Sequence, residues 1–284
     1  MILRSHPYFN VPIALASKHE KLKLIKPSFD EYVGCKIFEV NEDTDQFGTF
    51  SGEVERRNSP YQTAILKARL GMESTNTGIG IASEGSIGTD PFIPFLVSDI
   101  EHLVLVDDIN HIVISEIYRS FDILYAEITV KPDEDLSEFL RKADFPNHRV
   151  IVRPNLKNVI SCMKGIGDLD LLRTAIRECA NFSLDGSVVI ESDLRAMNSP
   201  SRQKNIQTLA KKLALRINSL CPECNTPGWG TVGYLKGLRC TDCGEVNTEA
   251  NRQEALGCVR CDFTGLGNVL AEQLDPSQCQ ICNP

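Results

Sequence analysis

CPECNTPGWGTVGYLKGLRCTDCGEVNTEANRQEALGCVRCDFTGLGNVLAEQLDPSQCQICNP, residues 221–284, ends the chain with four Cys-x-x-Cys pairs: Cys221/Cys224, Cys240/Cys243, Cys258/Cys261 and Cys279/Cys282. Two residues between sulfurs let one tight turn offer both thiolates to a single ion, and tetrahedral Zn²⁺ then needs a second such turn. Four turns make two Cys₄ sites. With cysteine at every corner no position is left for water, so the expected role of the two Zn²⁺ ions is structural. These 64 residues hold too little apolar material to fold without metal. A redox dithiol would need a thioredoxin-like setting, which the flanking sequence lacks.

Spacing does not decide which turns share an ion. CPEC with CTDC resembles a zinc ribbon, which would make the sites sequential, while nested or crossed pairings stay open. The other three cysteines, Cys35, Cys162 and Cys179, lie in apolar segments and read as small buried hydrophobes. Eleven cysteines without an export signal argue for metal rather than disulfides, and for a cytoplasmic address. No apolar run is long enough to span a membrane. The net charge is −8, and the cysteine-rich segment carries eight acids against four bases. That balance disfavours nucleic acid as a partner and leaves the tail suited to docking a protein.

Upstream, short β-type runs alternate with helical patterns, the mark of a mixed-sheet α/β domain. Strands are expected at 13–16, 35–40, 78–83, 102–107, 112–117, 125–130, 149–152 and 187–191. Helices are expected at 18–25, 61–73, 136–143, 169–179 and 200–220. The last is the clearest, with Ile206, Leu209, Ala210, Leu213, Ala214 and Ile217 at helical spacing behind Pro200. A polar stretch at 131–135 divides this region into halves, 1–130 and 131–220, with the zinc module at 221–284.

Three N-terminal segments carry chemical interest. In ALASKHEK, Lys18 and Lys21 follow a short strand, where lysines and free backbone N–H groups suit a phosphate. DTDQFGTFSGEVERRNSPYQTAILKARLG joins a loop to a helix bearing Gln62, Lys67 and Arg69. GIGIASEGSIGTDPFIPF sets Glu84 among small residues, with room for a ligand or a hydrated Mg²⁺. In this order, SKHEK, GTF with QTAILKA, and SEGS resemble motifs of the inosine-triphosphate pyrophosphatase superfamily, hydrolases of non-standard purine nucleoside triphosphates. The resemblance covers roughly residues 11–90. It implies a nucleotide ligand, phosphate contacts from Lys18 and Lys21, and Glu84 as the Mg²⁺ ligand that orients the attacking water. The chain departs from the family pattern at Gln62, where a metal-binding glutamate is expected, and at Ser83–Glu84, where paired aspartates are expected. Glu53, Asp43 or Asp45 would have to make up the missing acid. The whole chain also resembles an uncharacterised bacterial family with the same cysteine-rich tail.

A second constellation reads DGSVVIESDLRAMNSPSR, residues 185–202. Alternation places Glu191 and Asp193 on one strand face, where they repel unless a metal or Arg195, Arg202 or Arg153 intervenes. Asn198 and the following helix start add a second anion site. This layout faintly resembles the nucleotide-binding half of ATP-grasp enzymes. The expected function is a nucleoside triphosphate pyrophosphohydrolase, with a non-catalytic nucleotide sensor that docks a protein through its tail as the alternative.

Overall fold

The computed structural model describes residues 6–49, 54–156 and 163–284. Contacts divide the chain into two compact units, one over Tyr8–Leu213 and one over Ala214–Pro284.

The first unit is α/β and holds two sheets. Its first sheet is built from β1 (Pro12–Ala16), β2 (Lys36–Val40), β3 (Ile79–Thr89), β4 (Val97–Asp107) and β5 (Ile112–Ser120), in the order β2-β1-β3-β4-β5. β1 runs parallel to both neighbours, whereas β3, β4 and β5 form an antiparallel meander. The run Leu103–Val106 is apolar on both faces because β4 is central and wholly buried there. Between the parallel strands come α1 (Leu22–Tyr32) and α2 (Pro60–Thr75). α1 starts later than the sequence pattern suggested and continues through Pro27, held by the buried face of Leu24, Ile25 and Phe29. α2 opens with Ser59 as a capping residue, Pro60 in its first turn, and Ala64, Ala68 and Met72 packed on Ala82, Val104 and Val106.

The second sheet takes β6 (Glu127–Val130), β7 (Val150–Pro154), β8 (Met163–Ile166) and β9 (Val188–Ser192), ordered β6-β9-β7-β8 and antiparallel throughout. α3 (Ser137–Lys142) and α4 (Leu169–Ala180) accompany it, and Phe139, Leu172 and Ile176 share a core with Val150, Val152, Val188 and Ile190. β6, in the expected first half, pairs with β9 of the expected second half. β8 has no counterpart in the expected strands. Cys35 and Cys179 are buried; Cys162 and Glu53 lie outside the described residues. The long α5 (Pro200–Asn218) follows. No helix among the described residues is long and apolar enough to cross a membrane.

The second unit contains an antiparallel sheet of β10 (Gly230–Arg239), β11 (Val246–Gly257) and β12 (Thr264–Val269). Its small core consists of Leu238, Cys240, Leu274 and Cys279.

Candidate functional site

Antiparallel pairing decides how the cysteine turns combine. β10 begins opposite the end of β11, with Gly230 across from Gly257, so the turns at Cys221/Cys224 and Cys258/Cys261 meet at one end of the sheet. Cys240/Cys243 form the β10–β11 connection and meet Cys279/Cys282 at the other end. The pairing is therefore crossed, first turn with third and second with fourth, and the sequential ribbon arrangement is not the one adopted. A ten-residue β10 at about 3.3 Å per residue keeps the two tetrads roughly 30 Å apart along the strand. Sulfur separations are 3.7 Å for Cys221–Cys261, 3.6 Å for Cys224–Cys258, 3.8 Å for Cys240–Cys282 and 3.6 Å for Cys243–Cys279. A tetrahedron with metal–sulfur bonds of about 2.3 Å has edges of about 3.8 Å, and a disulfide would need about 2.05 Å. Both tetrads can hold a metal ion such as zinc. Backbone N–H groups of Asp242 and Arg260 point at Cys240 and Cys258 sulfurs at 3.5 and 3.3 Å, donors suited to thiolates.

In the first unit, the strand order reverses at β1/β3: the chain passes from β1 to β2 on one side, then to β3 on the other. Open α/β sheets leave a crevice at the carboxyl ends of the strands flanking such a switch point. The β1–α1 loop and the middle of β3 bring Lys21 and Ser83 together there. Lys21 Nζ donates to Ser83 Oγ at 2.8 Å, and the side chain is 7% exposed. No carboxylate lies within ion-pair distance of this lysine among the described residues. Burial, with Arg202 adding to it, pulls its pKa down to about 8.

Glu84, one residue on, accepts from Lys67 of α2 at 2.6 Å and from Arg56 at 2.9 Å. Burial works to raise its pKa, but these two cations outweigh it and hold the carboxyl below its ordinary value. Glu84, Arg56, Thr49, Ser86 and Ile87 line a hollow of about 200 Å³. A second hollow of about 130 Å³ shares Ile87 and is bounded by Glu191, Asp193 and Arg195. Another hollow, of about 600 Å³ near Tyr125, Ile128 and Phe139, is lined by none of the site residues singled out by sequence.

The remaining candidates separate. Lys18 pairs with Asp43 and Asp45, which spends all three on one another. Gln62 completes the α2 capping box, its Oε1 accepting from the Ser59 N–H, so the neutral amide serves the helix end. Asp193, fully buried, accepts from Arg195 at 2.6 Å and Asn198 at 2.7 Å. Glu191 faces Arg153 at 3.7 Å. Each acid thus has its own arginine and no shared ion is required. Arg202 goes elsewhere: its Nε donates to Glu101 of β4 at 2.5 Å and its Nη1 to the Leu194 carbonyl at 2.7 Å. Gly85 makes room for this pair, since a Cβ there would collide with Arg202 Nη2 and Glu101 Oε1. Sequence reading named Lys67 on its helix but missed Glu101, Asp99, Arg56 and His19. Only the alternation of Asp99 and Glu101 in an otherwise apolar strand could have signalled any of them.

The DUF6671 family, a domain of unknown function, matches residues 67–284. The chain belongs to this family. The matched span includes β3 with Glu84, the arginine-bearing segment and both cysteine tetrads. No curated protein and no solved structure matches the chain. A family with this tail agrees with the likeness to an uncharacterised cysteine-tailed family; a pyrophosphatase relationship finds no match and rests on the motifs alone.

Proposed function

We propose that this DUF6671 protein binds a nucleotide by its phosphates at the β1/β3 switch point, and that both tetrads hold structural Zn²⁺. One observation carries the nucleotide reading: Lys21 is a buried cation with no carboxylate within ion-pair distance among the described residues, and burial outweighs the pull of the more distant Glu101 and Glu84. Burying such a charge is costly unless an anion compensates it. A phosphate at the mouth of β1 and β3 would supply that anion, next to the hollow lined by Arg56 and Glu84, the latter paired with Lys67.

Hydrolysis of a nucleoside triphosphate is the activity this site suits best. Glu84 is the one candidate carboxylate for Mg²⁺, and Mg²⁺ often binds through one carboxylate plus substrate phosphates. Glu84 would hold such an ion, whose charge would offset that of the phosphates. Lys21 and Lys67 fix the phosphate chain and stabilise the charge that develops on its oxygens. Glu84 would then orient the attacking water. The tight pairing of Glu84 with Lys67 and Arg56 favours a second reading, a nucleotide sensor without turnover.

A screen for pyrophosphate and phosphate release separates the two. It covers standard and deaminated nucleoside triphosphates with Mg²⁺ or Mn²⁺, comparing wild type with Glu84→Gln. Turnover that disappears in the variant supports the hydrolase; binding without release supports the sensor; neither binding nor release removes the nucleotide reading.

A further inference from the structure

His19, midway along the loop between β1 and α1, enters none of the roles above. Its Nδ1 is buried and has no hydrogen-bond partner among the described residues. A buried ring nitrogen left unpaired is costly, and a ligand entering the crevice can supply the missing partner. The charged groups facing the ring come from every side of the crevice. They are Lys21 of the same loop, Arg202 of the first turn of α5, Arg195 of the segment before it, and Asp45 of the 44–47 turn. Arg202 is paired with Glu101, Arg195 with Asp193 and Asp45 with Lys18, which leaves Lys21 as the cation among them with no carboxylate within ion-pair distance among the described residues.

We infer that His19 couples ligand binding to pH: a phosphate group settling among His19, Lys21 and Arg195 draws a proton from solvent onto the imidazole, which then donates to a phosphate oxygen. The inference rests on the proposed anion site and adds to it a preference for multiply charged phosphates over singly charged ligands. The physical reason is the balance of charge around the ring. Burial, together with Lys21 and Arg202, brings the imidazole pKa down to about 4, so the ring is neutral at pH 7. A phosphate dianion reverses the local sign and makes the imidazolium the favoured form. The bond gained is N–H···O⁻, charge-assisted, and the proton comes from water or buffer.

The test uses the full chain and inorganic pyrophosphate. Calorimetric titration at one pH in buffers of different ionisation heat counts the protons taken up, and His19→Asn subtracts the contribution of pyrophosphate itself. Wild type is expected to take up close to one more proton than the variant at pH 6. Its affinity is expected to gain several-fold over the variant between pH 7.5 and pH 6, limited to about tenfold per pH unit for one linked proton. With five histidines in the chain, the His19 ring proton can be followed by NMR and should move to the imidazolium position on binding. Pyrophosphate binding with equal proton uptake in both proteins overturns the role of His19 and leaves the anion site standing. Absence of pyrophosphate binding by wild type overturns both.

Discussion

At the scale of single residues, the crevice is defined by ionisable groups placed where the fold alone would not want them. Lys21 is the clearest. Its pKa of about 8 lies below the unfolded value of 10.5, so the folded state holds the proton less firmly. Burial of the charged form therefore costs stability below pH 8, and that cost is relieved as pH rises from about 8 toward 10.5. Lys21→Met should raise the unfolding free energy at pH 7 by about 1–3 kcal/mol, net of the lost Ser83 hydrogen bond. Denaturant melts at pH 7 check this, and an equally large destabilisation would show that Lys21 serves the fold. Asp99 gives the opposite slope. Burial and neighbouring Glu101 push its pKa up to about 7, above the unfolded 3.8, so the folded state holds its proton more firmly. Its contribution is present below about pH 4 and is lost as pH rises through 7. Asp99→Asn should flatten that part of the stability profile, and urea midpoints at pH 4.5 and 7.5 report the change.

At the scale of elements, the frame was legible because it depends on local periodicity. Ile206, Leu209 and Leu213 behind Pro200 announce α5, where both signals are short-range chemistry. Ser59→Ala should remove the capping box and cost about 1 kcal/mol, read from thermal melts. What escaped the sequence depends on which strands meet. The Arg202–Glu101 pair joins residues a hundred positions apart, and the crossing of the cysteine turns follows from β10 being one strand rather than a hairpin. Lys18 looked as good a phosphate ligand as Lys21 until the 44–47 turn brought Asp43 and Asp45 to it. Gly85 belongs to this category as well. Gly85→Ala should displace the buried Arg202–Glu101 pair and destabilise the first unit by about 1–3 kcal/mol. Unchanged stability would mean the pair relocates without cost.

At the scale of the whole molecule, two compact units place different demands on chemistry. The C-terminal unit has a small buried cluster and two tetrads at opposite ends of one sheet, so metal held there would supply much of what apolar burial cannot. Crossed pairing makes a specific expectation: Cys221→Ser and Cys258→Ser each release the same ion, while Cys240→Ser releases the other. Metal content should therefore fall by one per chain for any single variant and stay at that level in the Cys221/Cys258 double variant. A double variant that loses two would contradict crossed pairing in favour of a sequential or nested arrangement. The Tyr8–Leu213 unit instead concentrates unpaired buried charge at a strand-order reversal, where open sheets place their ligands. The most direct test of that claim is an equilibrium titration of the full chain with a nucleoside triphosphate and Mg²⁺, wild type beside Lys21→Met. Loss of one charge-assisted phosphate contact should weaken binding by about ten- to a hundredfold while the variant stays folded. Equal affinity in the two proteins would contradict the assignment of the switch-point crevice as a phosphate site.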